Sequence, residues 1–338
     1  MSGGEERDGV PLTNLDQPLF EGARATKRDL VDYLDAVSGY LLPELSGRPL
    51  TVVRVLRGQS PFMQKNLPRY APEWIRRVRV WAESSQREVT YPVCDDRRTL
   101  LWFANQRAVE YHPALVRADA WDRATHLVVD IDPPERGGFA AAVTAAGLVR
   151  RVVDEAGLAC TVKTSGAKGL HVLVPVGPLV PVDDAAAATR ALAARAERLD
   201  PALATTAFLR EDRAGRVFLD ATRAGGATLV AAYSPRVRPG VPVSFPVAWD
   251  DLADVTPADF TIHTVPGLLA QGRAGPVPPP RPLPPDLVEE GRAIPVARVQ
   301  AMHEGRRRAR ARRDAAARRD PQDGQERPDT GGDVGPGR

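Results

Sequence analysis

Three observations predict an α+β fold. Short runs rich in β-branched and aromatic residues stop at Gly, Pro or Asp; two long Ala-rich helical stretches lie among them; and the chain carries no internal repeat of about 20 to 50 residues. With 338 residues and 43% hydrophobic content, the chain is long enough to bury a sizeable core. No apolar stretch approaches the roughly 20 residues of a membrane span, and "MSGGEERDG" lacks the basic-then-apolar order of a signal peptide, so a cytoplasmic location is expected. Cys94 and Cys160 fit no paired metal spacing and are too few for a disulfide framework, which leaves them as reduced packing residues.

Residues 1–10 are polar and are expected to be a flexible N-terminus. "TKRDLVDYLDAVSGYLLPEL" is predicted as one amphipathic helix, with Thr26 as N-cap, Asp29 three residues on, and Leu30, Leu34, Val37 and Leu41 on one face. "LTVVRVLRG" and "RRVRVWA" read as strands, and "DDRRTLLWFANQRAVEYHP" as a helix stopped before Pro113. A strand over 127–131, an Ala-rich helix over 138–156, two strands joined by a glycine-bearing loop in "CTVKTSGAKGLHVLVPV" and a second Ala-rich helix over 183–198 follow. "GRVFLDA", "GATLVAAYS" and "VPVSFPV" read as further strands. The folded body is placed at 11–273. Beyond it a Pro-rich linker with a short helix spans 274–304, and an Arg-rich disordered tail spans 305–338.

The charge is unevenly distributed. From Gly305 to Arg338 ten Arg stand against six Asp and Glu, a net of +4, so the overall +3 leaves −1 for the rest of the chain. Basicity is therefore a property of the tail, which reads either as a solvated arm or as a non-specific DNA attachment. Among 46 basic residues only four are lysines: Lys27, Lys65, Lys163 and Lys168. A compact ammonium, kept where Arg is otherwise used, raises the question of phosphate chemistry nearby.

In "HLVVDIDPP" alternation along a strand puts Asp130 and Asp132 on one face, with Ile131 pointing the other way into a core. Two carboxylates so close repel unless a positive charge lies between them, and a divalent cation such as Mg²⁺ or Mn²⁺ fills that role. The bland alternative is a turn-capping Asp beside a solvated neighbour. "KTSGAKGLHV" groups the Ser165 hydroxyl, the Lys168 ammonium, the His171 imidazole and backbone N–H groups beside Gly166 and Gly169, a set of donors suited to a polyphosphate, although it also reads as a plain hairpin. "GRVFLDATRAGG" adds Asp220 at the end of another apolar strand. Three strand-end carboxylates and a phosphate loop are the minimum for two-metal nucleotidyl transfer.

The ordered run "FMQKNLPRYAPEWIRRV", "EYHP", "HLVVDIDPP", "KTSGAKGLHV", "FLDA" and "YSPRVRPGVPVS" resembles the polymerase domain of bacterial DNA ligase D, of the archaeo-eukaryotic primase superfamily, over residues 10–270. The resemblance implies a primase-like core, with a mixed or antiparallel sheet flanked by helices. It also implies a DNA-directed polymerase that fills gaps and extends broken ends in non-homologous end joining with Ku, favours ribonucleotides over deoxyribonucleotides and depends on Mn²⁺ or Mg²⁺.

By this resemblance Asp130, Asp132 and Asp220 are the metal ligands, and Ser165, Lys168 and His171 bind the nucleotide phosphates. His112 and Arg236 meet the incoming nucleotide, and Arg54 and Lys65 lie close to it. Phe62, with Lys65, faces the template, and Lys27 takes the 5′-phosphate of the downstream strand.

The chain departs from the family in four places. Gln17 stands where a second phosphate-binding lysine is usual, Met63 replaces the second Phe of F-F-Q-K, "DATRAGG" replaces D-Y-L-Q-N-x-x-G, and "FLREDRAG" lacks the usual lysines. A ligase K-x-D-G motif is absent, so a separate ATP-dependent ligase is the expected partner, with DNA ends and gapped duplex as substrates at the nucleoid. A phosphatase of the haloacid dehalogenase type, with Asp130 as nucleophile, expects Thr or Val where Pro134 stands. A DNA-end-binding module with a lapsed metal site, and a primase acting in replication, are the other readings.

Overall fold

In a computed structural model, which describes residues 5–82, 86–135, 138–224 and 227–296, the chain opens with a hairpin, β1 (Glu6–Arg7) and β2 (Val10–Pro11). The N-terminus is thus structured earlier than predicted. Arg7 pairs with Glu5, Asp32 and Asp35, and Arg28 with Glu5 at 2.6 Å, which ties the hairpin to the first helix. That helix, α1 (Lys27–Ala36), has the predicted capping box: the Asp29 N–H donates to Thr26 Oγ1 and the Thr26 N–H to Asp29 Oδ2. The predicted single helix breaks at Val37 and resumes as α2 (Ser38–Leu45). Val37 leaves helical geometry, with φ −95° and ψ 5°, and Pro43, which lacks an N–H, is accommodated inside the second helix. The predicted apolar face survives the break, with Leu30, Leu34, Val37 and Leu41 all buried.

Strands β3 (Leu50–Arg54), β4 (Phe62–Gln64), β5 (Arg77–Ala82) and β6 (Arg87–Pro92) come next, followed by α3 (Arg97–Asn105), capped by Asp96. Here the helix prediction overran. Arg107 adopts φ +61° and its guanidinium bonds the carbonyls of Val55, Pro18 and Leu19, so the chain turns and "AVEYHP" becomes β7 (Ala108–Pro113). β7 pairs with β3, and β4 pairs on the far side of β3, giving a three-stranded antiparallel sheet; β5 and β6 pair with each other.

The larger sheet carries β8 (Val116–Arg117), β9 (Ala120–Asp132), β10 (Thr161–Thr164), β11 (Leu170–Pro181), β12 (Ala204–Thr205), β13 (Val217–Asp220) and β14 (Pro246–Val247), in the order β12-β13-β9-β11-β10-β14 with β8 against β9. Two Ala-rich helices, α4 (Gly138–Glu155) and α5 (Val182–Leu199), lie between these strands in sequence, close to the predicted bounds. They pack against the sheet through small side chains such as Ala142, Ala146, Ala188 and Ala191, in the main core that also takes Leu127, Val129 and Ile131 from β9. Val128, on the other face of β9, joins a separate small cluster with Leu115 and Leu229. The period-2 alternation of β9 thus separates a helix-covered apolar face from the face that bears Asp130 and Asp132.

"GATLVAAYS" forms no strand. It makes a single bridge from Thr228 to Ala114, and then links β7 to the segment before β14: the Ala231 N–H donates to the Tyr111 carbonyl, the Tyr111 N–H to Ser234 Oγ, and the Tyr233 N–H to the Ser244 carbonyl. The predicted Pro-rich linker is no free spacer over its described part. After α6 (Val265–Ala270) the chain runs on to α7 (Pro285–Ala293), within the compact unit that ends at Pro295. Helix α7 packs on α5, burying Leu287 and Val288, with Glu290 held by Arg195 and Arg198 at 2.6 and 2.8 Å. The predicted Arg-rich tail, residues 305–338, lies outside the described residues.

Candidate active site

One row of the larger sheet carries the chemistry. Lys163 on β10 stands opposite His171 on β11, His171 opposite Asp130 on β9, and Asp130 opposite Asp220 on β13. Directly opposed residues project to the same face, so antiparallel register alone assembles an ammonium, an imidazole and two carboxylates side by side. Asp132, two residues along β9, shares the face and stands opposite Phe218.

Burial and partners set the charge of each group. The Lys163 ammonium is buried and donates to His171 Nδ1 and to Ser244 Oγ, both at 2.7 Å. Burial first, then Arg236, lowers its pKa to about 7. His171 is pulled down to about 4 by burial and by Lys163, so at neutral pH the ring is uncharged. With Nδ1 accepting from Lys163, the proton sits on Nε2, which faces Asp130 Oδ1 at 3.3 Å. Burial alone would raise the Asp130 carboxyl; the His171 ring, followed by Arg223 and Lys163, holds it at about 2. Asp132 is pushed the other way, by burial and by the charges of Asp130 and Asp220.

A second group of residues meets the row from β7. Glu110 accepts from His112 Nε2 at 2.8 Å and from the Val237 N–H at 2.8 Å, and lies 3.2 Å from Arg236 Nε. Burial works against its charge, but the His112 bond, Arg236 and Val237 hold Glu110 at about 2. Arg236 in turn donates to the Ser165 carbonyl. Glu110 therefore fixes two predicted nucleotide residues at once. The assignment of residues from sequence passed over it, although Glu110 and His112, two apart on one strand, share a face.

The loop between β10 and β11 closes on itself more than predicted. Ser165 Oγ accepts from the Ala167 and Gly169 N–H groups, both at 3.2 Å, so the Gly169 donor is already used. The two glycines have steric reasons: Gly166 adopts φ +66° against the Arg236 side chain, and a Cβ on Gly169 would lie 2.3 Å from the Ile131 carbonyl oxygen. Lys168, at the loop's tip, is exposed.

The remaining predicted residues lie apart from this row. Arg54 is buried, bonded to the Gln106 carbonyl, Gln64 and Tyr70, and lies over the Phe62 ring at 5.8 Å. It sits three residues along the β3–β7 pair from His112, roughly 10 Å by strand rise. It braces β4, from which Lys65 and Met63 project into solvent, with Phe62 half-buried. Lys27 is also buried: Nζ donates to the Thr13 carbonyl and to Asn105 Oδ1, and burial, with Arg107 nearby, lowers its pKa to about 8. Beside Gln17, a cavity of about 850 Å³ is lined by Asn14, Arg57, Gln59 and Arg107.

The donor set of Asp130, Asp132 and Asp220 is all carboxylate oxygen, which suits a hard divalent cation. Among the described residues no three His, Cys, Asp or Glu side chains converge closely enough to hold one as they stand. Instead a guanidinium bridges two of the three: Arg223 Nη2 lies 3.2 Å from Asp130 Oδ2, and Nε lies 3.6 Å from Asp220 Oδ2. Among the described residues no helix is long and apolar enough to cross a membrane.

Residues 26–275 match the family model "LigD, primase-polymerase domain". The chain is 35% identical over 261 residues to the bifunctional non-homologous end joining protein LigD of Bacillus subtilis, covering 76% of this chain and 42% of that protein. It is 34% identical over 257 residues to the multifunctional LigD of Mycolicibacterium smegmatis, covering 75% of this chain and 34% of that protein. The match thus spans well under half of these relatives. Among solved structures, the polymerase domain from Mycobacterium tuberculosis ligase D in complex with DNA superposes with a TM-score of 0.72 at 35% identity, over 79% of this chain and 96% of that one. The match accounts for the mixed sheet with helices packed against it, and the chain belongs to the LigD primase-polymerase domain family, a family of DNA nucleotidyltransferases.

Proposed function

We propose that this chain is a template-directed nucleotidyltransferase that fills gaps and extends ends at DNA double-strand breaks during non-homologous end joining, favouring ribonucleotides. The reading rests above all on the row Lys163–His171–Asp130–Asp220, in which strand register places two strand-end carboxylates opposite one another beside a neutral imidazole. Asp130, Asp132 and Asp220 would hold Mn²⁺ or Mg²⁺, which when bound activates a 3′-hydroxyl and neutralises the leaving pyrophosphate.

The chain's own side chains orient the nucleotide. His171 keeps its Nε2 proton on the carboxylate side because Lys163 occupies Nδ1. The Ser165 hydroxyl, which accepts from two N–H groups of its own loop, has its proton left to donate to a phosphate oxygen, with the Lys168 ammonium exposed beside it. His112 and Arg236, both fixed by Glu110, complete the nucleotide-binding set, with Arg236 bonded to the Ser165 carbonyl. Phe62 on β4 and Lys65 just beyond its end meet the template.

For a 5′-phosphate, the cavity beside Gln17 offers Arg57 and Arg107, whose buried Nη1 has no hydrogen-bond partner among the described residues. Lys27, whose N–H donates to the carbonyl of Gln17 in the cavity lining, keeps its ammonium on Thr13 and Asn105. Ku and a separate ATP-dependent ligase are the partners this role calls for, at the nucleoid of the cytoplasm.

The Arg223 bridge favours a second reading, a DNA-end-binding module whose carboxylates serve only as ion-pair partners. Primer extension on a gapped, 5′-phosphorylated duplex with Mn²⁺ separates the two. Extension by the wild type and its loss in Asp130→Ala, on the order of 10³-fold, is expected of the polymerase. Tight DNA binding with no extension by the wild type would leave the module.

A further inference from the structure

We propose that Arg223 is a built-in counter-ion of the carboxylate face, occupying Asp130 and Asp220 until a divalent cation displaces it. The inference rests on the reading above that these carboxylates bind such a cation.

The geometry is specific to the two residues that face each other across β9 and β13. Each has one oxygen engaged elsewhere: Asp130 Oδ1 faces His171 at 3.3 Å, and Asp220 Oδ1 accepts from the Thr222 N–H at 2.8 Å. The second oxygen of each turns to the same guanidinium, at 3.2 and 3.6 Å. The Thr222 bond folds the chain back after β13, and this turn brings Arg223 over the row. The Asp132 backbone pairs with Phe218, but its side chain has no hydrogen bond or ion pair among the described residues.

The other nearby arginine does not serve this purpose. Arg213 lies over the Phe218 ring at 3.7 Å and donates to the carbonyls of Ala207 and Phe208. Nor is Arg223 enclosed by the core: its side chain is 43% exposed, and its Nε, though buried against Asp220, makes no hydrogen bond among the described residues. It can therefore leave without opening the core.

One guanidinium offsets one of three carboxylate charges, so the face still attracts a cation, but the cation must compete for the two oxygens Arg223 holds. The polyphosphate of a nucleotide offers the freed guanidinium a bidentate partner of its own. Cation entry and nucleotide arrival are thereby coupled, and the coupling must be reciprocal.

The test is Mn²⁺ binding to the full chain without nucleotide or DNA, read from the electron paramagnetic resonance signal of free Mn²⁺, for the wild type, Arg223→Gln and Arg223→Lys. Arg223→Gln is expected to bind Mn²⁺ roughly tenfold tighter, equivalent to about 1.4 kcal/mol, with Arg223→Lys in between. Its melting temperature should rise more on adding Mn²⁺ than that of the wild type. Equal or weaker Mn²⁺ binding by Arg223→Gln overturns the counter-ion role while leaving the carboxylate site standing. Mn²⁺ binding by none of the three proteins overturns both.

Discussion

The centre of the large sheet and the edge of the small one carry basic residues of opposite kinds. In the centre, Lys163 is buried, bonded on two sides, and shifted far from its ordinary protonation range. On the edge, Lys65 projects from the end of β4 into solvent beside Met63, which is 51% exposed. Charge alone therefore does not mark a phosphate contact. A buried lysine tunes its neighbours, and an exposed one is free to meet a substrate. Chemistry here is fixed by strand register and paired side chains, while template contact is left to groups with few protein partners.

The strongest way to break this contrast is to disturb register without touching any charged group. Gly169→Ala places a Cβ 2.3 Å from the carbonyl oxygen of Ile131, the residue between the two aspartates. Overpacking of this kind costs about 1–3 kcal/mol. Because small misplacement of catalytic groups is expensive, extension is expected to fall roughly 10²-fold even where the variant still folds. Melting temperature and primer extension, measured together, check it. A stable variant with full activity would mean that register around Ile131 does not position the carboxylates.

The second test uses the buried lysine itself. The folded Lys163 has a pKa of about 7 against 10.5 ordinarily, so between those values the unfolded chain binds more protons than the folded one. Stability from this group therefore rises with pH across that window, by up to about 1.4 kcal/mol per unit. In Lys163→Met this contribution disappears. Denaturant unfolding from pH 7 to 10 should show a shallower rise for the variant than for the wild type, and parallel curves would show that Lys163 is ordinarily protonated in the fold.

Sequence made some of this visible and hid the rest for physical reasons. The Thr26–Asp29 capping box, the Ala-rich helices and the shared face of Asp130 and Asp132 are local patterns, and each stands where its spacing placed it. Asp220 was legible as a third strand-end carboxylate, but its position opposite Asp130 depends on which strands pair. The overrun of the α3 helix into "AVEYHP" traces to Arg107, whose turn is held by carbonyls 52 and 89 residues away in sequence. Arg223 reads in "DATRAGG" as an ordinary loop charge, and only the turn after β13 brings it over two aspartates. Lys163 and Lys168 stand five residues apart in one stretch, and strand pairing buries the first, which flanks the loop, while the second stays exposed.

The smallest expected effect lies on the edge strand, where Met63 stands exposed beside Phe62. The two residues alternate across β4, and the nearby Tyr70, 64% exposed, accepts through its hydroxyl oxygen from Arg54, which braces the strand. Met63→Phe adds a flat aromatic surface where a flexible thioether now stands, without entering any packed layer. Stacking contributes about 1–3 kcal/mol per base when a base is fully covered. A ring open to water on one side should give the low end, about 1 kcal/mol, or roughly a fivefold tighter Kd for gapped DNA by fluorescence anisotropy. Extension rate at saturating DNA should not change, because β4 shares no strand pairing with the carboxylate row. A change in that rate at unchanged affinity would erase the division between the two regions, since it would mean that the edge strand feeds back on the chemistry it was taken only to supply.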